Sequence, residues 1–124
     1  MTKIKKNELL ANIMRNKYYN QKTDGFDSKK EKKRYLQLEL MQKAGVIRCL
    51  AKQATFVLME TFKDKQGNTE RGIKYIADFV YYDNEKKSFV IEDVKSIITR
   101  KLPAYIIKRK LVKQMHPDHL FLEI

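Results

Sequence analysis

The chain of 124 residues contains a single cysteine, Cys49, two histidines and no tryptophan. One cysteine excludes an internal disulfide framework and fits a reducing compartment. One cysteine and two histidines cannot complete a four-ligand structural zinc site without help from carboxylates. No apolar run approaches the ~20 residues needed to span a bilayer. The start, Met1 to Lys6, is basic, but no apolar stretch of the kind that follows in a signal peptide is present. The absences together lead us to expect a small, soluble, intracellular domain with no membrane partner.

What is present suffices for one core. The hydrophobic fraction is 43%, with six Phe and seven Tyr, and typical domains run ~100–150 residues. A disordered chain could carry the net charge of +12, but not together with this density of aliphatic and aromatic side chains. The charge is unevenly placed. Residues 1–34 carry a net +7, residues 35–94 a net of zero, and residues 95–113 seven basic residues and no acid. Two basic blocks on one face would attract phosphates and release their counterions on binding. Lysines spread evenly over a soluble surface are the alternative.

Residues 1–15 read as a basic arm or a short helix through Leu9, Leu10 and Ile13, and residues 16–124 as a single domain. Tyr18 and Tyr19 could stack on bases or anchor that arm. Asp24-Gly25 is a turn signal. Asp27 or Ser28 suits an N-cap, and Ser28 with Glu31 has capping-box spacing. The helix that follows runs to about Ala44 through Tyr35, Leu36, Leu38, Leu40 and Met41, and Gly45 stops it. Strands are expected over Gln53–Met59, Gly72–Tyr82 and Ser88–Ser96, with a loop over Asp64–Thr69 and a polar turn over Asp83–Lys87. Cys49, near a strand start, reads as a small buried apolar residue. Pro103 opens a second helix to about Met115, His116-Pro117-Asp118 ends it, and Leu120–Leu122 form a last strand. The order is α–β–β–β–α–β.

Alternation places Ile76, Asp78 and Val80 on one face of the second strand, with Ala77 and Phe79 on the other. On the third strand Ile91, Asp93 and Lys95 share a face opposite Val90, Glu92 and Val94. Both strands are apolar on both sides, as in a sheet covered by two layers, and an ionised carboxylate there is costly unless paired or bound to a metal. Aspartates on adjacent strands can hold a divalent cation such as Mg²⁺. Lys95 could orient or deprotonate an attacking water, or stabilise charge on a phosphate. A structural Asp93–Lys95 pair, with Asp78 at a frayed strand end, is the competing explanation. Glu31 lies one turn before Tyr35 and continues a stripe through Leu38 that looks buried. It could complete the metal's ligand set or act as the capping-box partner of Ser28. His116 and His119, three residues apart, have no third ligand to make a metal site.

These pieces resemble the PD-(D/E)XK nuclease superfamily, and more closely its small phage-encoded endodeoxyribonucleases. The resemblance rests on Phe26-Asp27-Ser28-Lys29-Lys30-Glu31, Tyr35 and Leu38, Tyr75-Ile76-Ala77-Asp78-Phe79, Glu92-Asp93-Val94-Lys95, and Tyr105, Lys108, Lys110 and Leu111. It implies a restriction-endonuclease-like α/β fold with a central mixed sheet flanked by helices. It implies Glu31, Asp78 and Asp93 at the acidic metal-binding positions, Lys95 as the catalytic lysine, and Gln53 as a first-strand glutamine of the site. Ala54 stands where a proline would follow that glutamine, Ala77 where the superfamily signature has proline before the aspartate, and Ser96 where glycine often follows the lysine. The implied activity is Mg²⁺- or Mn²⁺-dependent phosphodiester hydrolysis leaving a 5′-phosphate, in the cytoplasm, of the host cell if the chain is phage-encoded. Glu92 points to the opposite face and reads as structural.

Basic side chains suit that chemistry. Lys108, Arg109, Lys110 and Lys113 lie beside Ile106, Ile107, Leu111 and Val112, as on an amphipathic helix that packs one side and offers the other to phosphates. Lys29, Lys30, Lys32, Lys33 and Arg34 would form the opposite wall of a cleft. Backbone contacts without base readout, and so structure-selective or weakly sequence-selective cutting, are expected. The leading expectation is a DNA endonuclease, acting in phage recombination or replication, with a homodimer left open by the need to cut two strands. The alternatives are a non-catalytic DNA-binding protein and a module for an acidic protein partner.

Overall fold

The computed structural model describes residues 28–124. The expected arm or helix over 1–15, Tyr18 and Tyr19, the Asp24-Gly25 turn and the Asp27 cap lie outside the described residues. Helix α1 spans Lys29–Lys43. Ser28 caps it: its Oγ accepts the Glu31 N–H at 3.1 Å, satisfying one of the donors that a helix start leaves unpaired. Gly45 ends it at φ +79°, with the Gly45 and Val46 N–H groups donating back to Gln42 and Met41, a left-handed stop that glycine adopts without strain.

Six strands follow: β1 (Ile47–Met59), β2 (Phe62–Lys63), β3 (Thr69–Glu70), β4 (Ile73–Asp83), β5 (Ser88–Asp93) and β6 (Leu120–Glu123). Between β5 and β6 lie a one-turn helix α2 (Ile97–Arg100) and helix α3 (Pro103–Met115). The main sheet has the order β1-β4-β5-β6. β1, β4 and β5 are antiparallel neighbours, while β6 lies parallel to β5. That parallel pair needs the long crossover that α2 and α3 supply. β2 and β3 form a small separate hairpin over the expected loop.

The sheet is covered on both faces. α1 packs Leu38 against Phe79, Tyr81 and Val90, with Tyr35 stacked 5.9 Å from Phe79. α3 packs Tyr105 and Val112 against Ala54, Ala77 and Ile91. The fold is therefore mixed α/β, a four-stranded mixed sheet flanked by helices, which agrees with the coarse architecture that the resemblance implies. No helix among the described residues is long and apolar enough to cross a membrane.

Five expectations are corrected. β1 begins at Ile47 rather than Gln53, and its register slips between Arg48 and Ala51. Cys49 sits in that bulge at φ +60° and is exposed rather than buried. β5 stops at Asp93, because the Val94 N–H leaves the ladder to donate to Asp78. Alternation along β4 also breaks at Asp78, since Tyr75 and Ala77 pack on the α3 side but Phe79 and Tyr81 on the α1 side. Continuing the register from Lys52 opposite Phe79 and Ala54 opposite Ala77 puts Gln53 across from Asp78. Gln53 has φ +56°, a strained conformation for a side chain of its size, and the chain direction changes at that pair. On the helices, Leu36, Leu40, Ile107 and Leu111 are exposed, so the buried stripes are narrower than the sequence suggested.

Candidate active site

The two strand aspartates meet at the end of the β4–β5 ladder. The register Phe79 opposite Glu92 continues to Asp78 opposite Asp93, where side chains on antiparallel strands stand close together. Asp78 lies mid-strand and is 3% exposed, not at a frayed end. Its Oδ2 accepts the Val94 N–H at 2.7 Å. Lys95 then places its Nζ 3.4 Å from Asp93 Oδ1 and 4.0 Å from Asp78 Oδ2, so one ammonium serves both carboxylates.

Asp93 is 0% exposed, and neither of its oxygens accepts a hydrogen bond of ordinary geometry. Burial pushes its carboxyl up to about 6, against the pull of the Lys95 ammonium and the Asp78 backbone, and the Glu123 carboxylate adds to the rise. A buried anion with so few donors is costly unless it is paired or bound to a cation, and the Lys95 ammonium at 3.4 Å is the pairing group beside it.

Glu31 approaches from α1 and Gln53 from β1. Glu31 is 2% exposed and accepts from Gln53 Nε2 at 3.2 Å. Ser28 therefore supplies its half of the expected capping box, while the Glu31 side chain turns inward. Glu31, Lys30 and Lys95 line one cavity of about 550 Å³. Among the described residues, however, no three His, Cys, Asp or Glu side chains gather in a metal-holding group. The structure joins Asp78, Asp93 and Lys95 directly and brings Glu31 to the same cavity as Lys95, without uniting the three acids.

Glu92 differs from its neighbour Asp93 in every respect but burial. It accepts from Arg34 Nε at 2.5 Å and Nη2 at 3.0 Å, and from the Tyr81 hydroxyl at 2.6 Å. Its charge is matched on the α1 face, as alternation along β5 dictates. Arg34 is thereby committed to Glu92 and does not join the cationic wall expected of it.

Two residues not singled out for the site lie beside it. Glu123 pairs with Asp93 in the β5–β6 register. It accepts from the Tyr105 hydroxyl at 2.5 Å, with Arg109 Nη1 3.6 Å away. Burial and the bond to Glu123 raise the Tyr105 hydroxyl above its ordinary value. A register extended one residue beyond Leu122 would have revealed Glu123, since a parallel neighbour of Asp93 shares its face.

The basic candidates divide. Lys29, Lys30 and Lys33 on α1 are exposed, as are Lys110 and Lys113 on α3. Lys108 is half-buried and lines a second cavity, of about 430 Å³, with Lys74, Lys95 and Tyr105. Arg109, half-buried and held by Glu123, does not share an open helix face with them. His116 and His119 stand 4.9 Å apart ring to ring, one edge-on to Phe56 and the other stacked on Phe89. They belong to an aromatic cluster rather than to the acids.

The chain belongs to the protein family of unknown function DUF1064, whose family model matches residues 14–122. No curated protein and no solved structure matches it.

Proposed function

We propose that this member of the DUF1064 family is a metal-dependent endodeoxyribonuclease with the restriction-endonuclease-like core of the PD-(D/E)XK superfamily. The observation that carries the reading is Lys95 set between Asp93 and Asp78, with both Asp93 oxygens buried and neither accepting a hydrogen bond of ordinary geometry. That donor set fits Mg²⁺ or Mn²⁺, hard cations that take carboxylate oxygens and would neutralise the buried charge. Asp93 and Asp78 would hold the cation, and Glu31, lining the cavity shared with Lys95, is the third candidate ligand. Bound there, the metal would lower the pKa of an attacking water and shield the phosphate.

The chain's own groups have separable tasks. Lys95 offers its ammonium where negative charge develops on the phosphate oxygens. Gln53 holds the Glu31 carboxylate, and Glu123 with Tyr105 borders Asp93 on its other side. In the hydrolysis, the water oxygen bonds to phosphorus and the bond from phosphorus to O3′ breaks. A 5′-phosphate and a 3′-hydroxyl result, with the water's proton balancing the charge of the leaving oxygen. Lys30, Lys74 and Lys108 in the cavities, with Lys29, Lys33, Lys110 and Lys113 outside them, supply phosphate contacts that hold DNA of any sequence. Cutting both strands symmetrically would take two chains.

The test incubates the protein with four-way-junction, flap, single-stranded and linear duplex DNA in Mg²⁺, Mn²⁺ or EDTA. Cleavage that EDTA abolishes is the expected result. Salt-sensitive binding with no cleavage of any substrate would make it a non-catalytic DNA-binding protein instead.

A further inference from the structure

We propose that α2 is an apolar wedge that enters between base steps beside the cleavage site, so that the preferred substrate is DNA whose stacking is already interrupted at a branch, nick or mismatch. The inference rests on the nuclease reading for where the cut falls, while the wedge itself requires only that DNA be bound.

Ile97 and Ile98 are 70% and 76% exposed, the highest values among the large apolar side chains of the described residues. They occupy a single helical turn that begins two residues after Lys95. That turn is firmly built. Ser96 Oγ accepts the Thr99 N–H at 3.1 Å and lies 3.0 Å from Thr99 Oγ1, while Arg100, Lys101 and Leu102 close backbone bonds onto it. The isoleucines are thus held outward by local structure, not left over from a loose loop.

The position of α2 gives the wedge its direction. Thr99 and Lys95 line both cavities of the site, one shared with Lys30 and Glu31, the other with Lys74 and Lys108. α2 is therefore the ridge between two lysine-bearing hollows, with Ile97 and Ile98 exposed upon it. Two DNA strands or arms diverging over that ridge would each meet cations, and the isoleucines would stand where the stack opens. Inserting aliphatic side chains between base steps has a cost in unstacking, which is smallest where pairing or stacking is already broken.

Charge selects the occupant. Residues 95–113 hold seven cations and no acid. Lys95 and Arg109 face acids from other strands, and a second copy docking here would still set the other cations, Arg100, Lys101, Lys108, Lys110 and Lys113, against their own copies. A polyanion that is apolar between its charges, as stacked bases between phosphates are, fits both features.

The test places 2-aminopurine, which brightens when unstacked, at the branch of a three-way junction and within a linear duplex, and uses the full chain in EDTA. We expect wild type to raise the branch signal several-fold and the Ile97→Ser/Ile98→Ser double variant to lose that rise, with both binding linear duplex equally. Leu40→Ser, at an exposed apolar position on α1, should behave as wild type. The proposal is overturned if bound wild type leaves the signal unchanged, or if the double variant matches wild type. It is also overturned if the double variant loses linear-duplex binding in the same proportion, becomes monomeric where wild type is dimeric, or alone fails to bind phosphatidylserine vesicles that capture wild type. A rise in EDTA with no cleavage of any DNA in Mg²⁺ would sink the nuclease reading and leave the wedge standing. Cleavage without a rise would do the reverse.

Discussion

The Asp78 carboxylate accepts the backbone N–H of Val94 at 2.7 Å. This bond draws the chain out of the β4–β5 ladder one residue before Lys95, and Lys95 then folds back onto Asp93 and Asp78. One carboxylate thus shapes the turn and belongs to the site. The two roles separate by substitution. Asp78→Asn keeps an acceptor for Val94, so near-normal stability with loss of cleavage is expected. Asp78→Ala strands a buried N–H and should cost about 1–3 kcal/mol as well. Denaturant titration beside a cleavage assay reads both; equal stability of the two variants would contradict the structural role.

Asp93 is a stability liability without a cation. Its charge is fully buried with one ammonium at 3.4 Å. In EDTA at pH 8, Asp93→Asn should be more stable than wild type by roughly 1–3 kcal/mol. Mg²⁺ should stabilise wild type and leave the variant unmoved, because only the form that binds gains from ligand. A less stable Asp93→Asn in EDTA would show that the carboxylate is structural.

Glu92 gives the opposite result. Removing Arg34 leaves it buried and uncompensated, since its other bonded partner is the neutral Tyr81 hydroxyl. Arg34→Met should destabilise by about 3–5 kcal/mol, seen as a lower denaturation midpoint. A change under ~1 kcal/mol would place the pair among weak surface bridges.

Much of this arrangement was legible in the sequence, and the failures share a cause. Ser28, Gly45 and Pro103 punctuate helices by local chemistry, so the limits of α1 and α3 were readable within a residue or so. Period-2 alternation correctly separated Asp93 from Glu92, because β5 is regular. It failed on β4, where Ala77 and Phe79 face different layers, because the left-handed Gln53 across from Asp78 belongs to another strand and no local pattern announces it. The bulge at Cys49 hid the start of β1 in the same way. The union of Asp78 with Lys95 depends on a side chain capturing a backbone N–H sixteen residues on, a tertiary event. Lys108 and Arg109 read as equivalent helix cations. Their different partners, a cavity and Glu123, follow from where α3 lies on the sheet.

His119 offers a pH test remote from the acids. Burial, then the neighbouring His116, hold its imidazole below the ordinary 6.5, with Asp118 opposing. The folded state therefore favours the neutral ring. That contribution is present above about pH 6.5 and is lost as the pH falls through the lowered folded value. Titration of the His119 ring signals by NMR should give a midpoint below 6.5, and His116→Asn should move it upward. A midpoint at or above 6.5 would contradict the packing described for this cluster.

The most direct test compares wild type, Asp93→Asn and Glu92→Gln on one end-labelled DNA substrate in Mg²⁺, under single-turnover conditions. These neighbours carry similar acids on opposite faces of β5, and only Asp93 stands with Asp78 and Lys95. The account predicts cleavage by wild type and by folded Glu92→Gln, with none by Asp93→Asn. Cleavage by Asp93→Asn at the wild-type rate would contradict it.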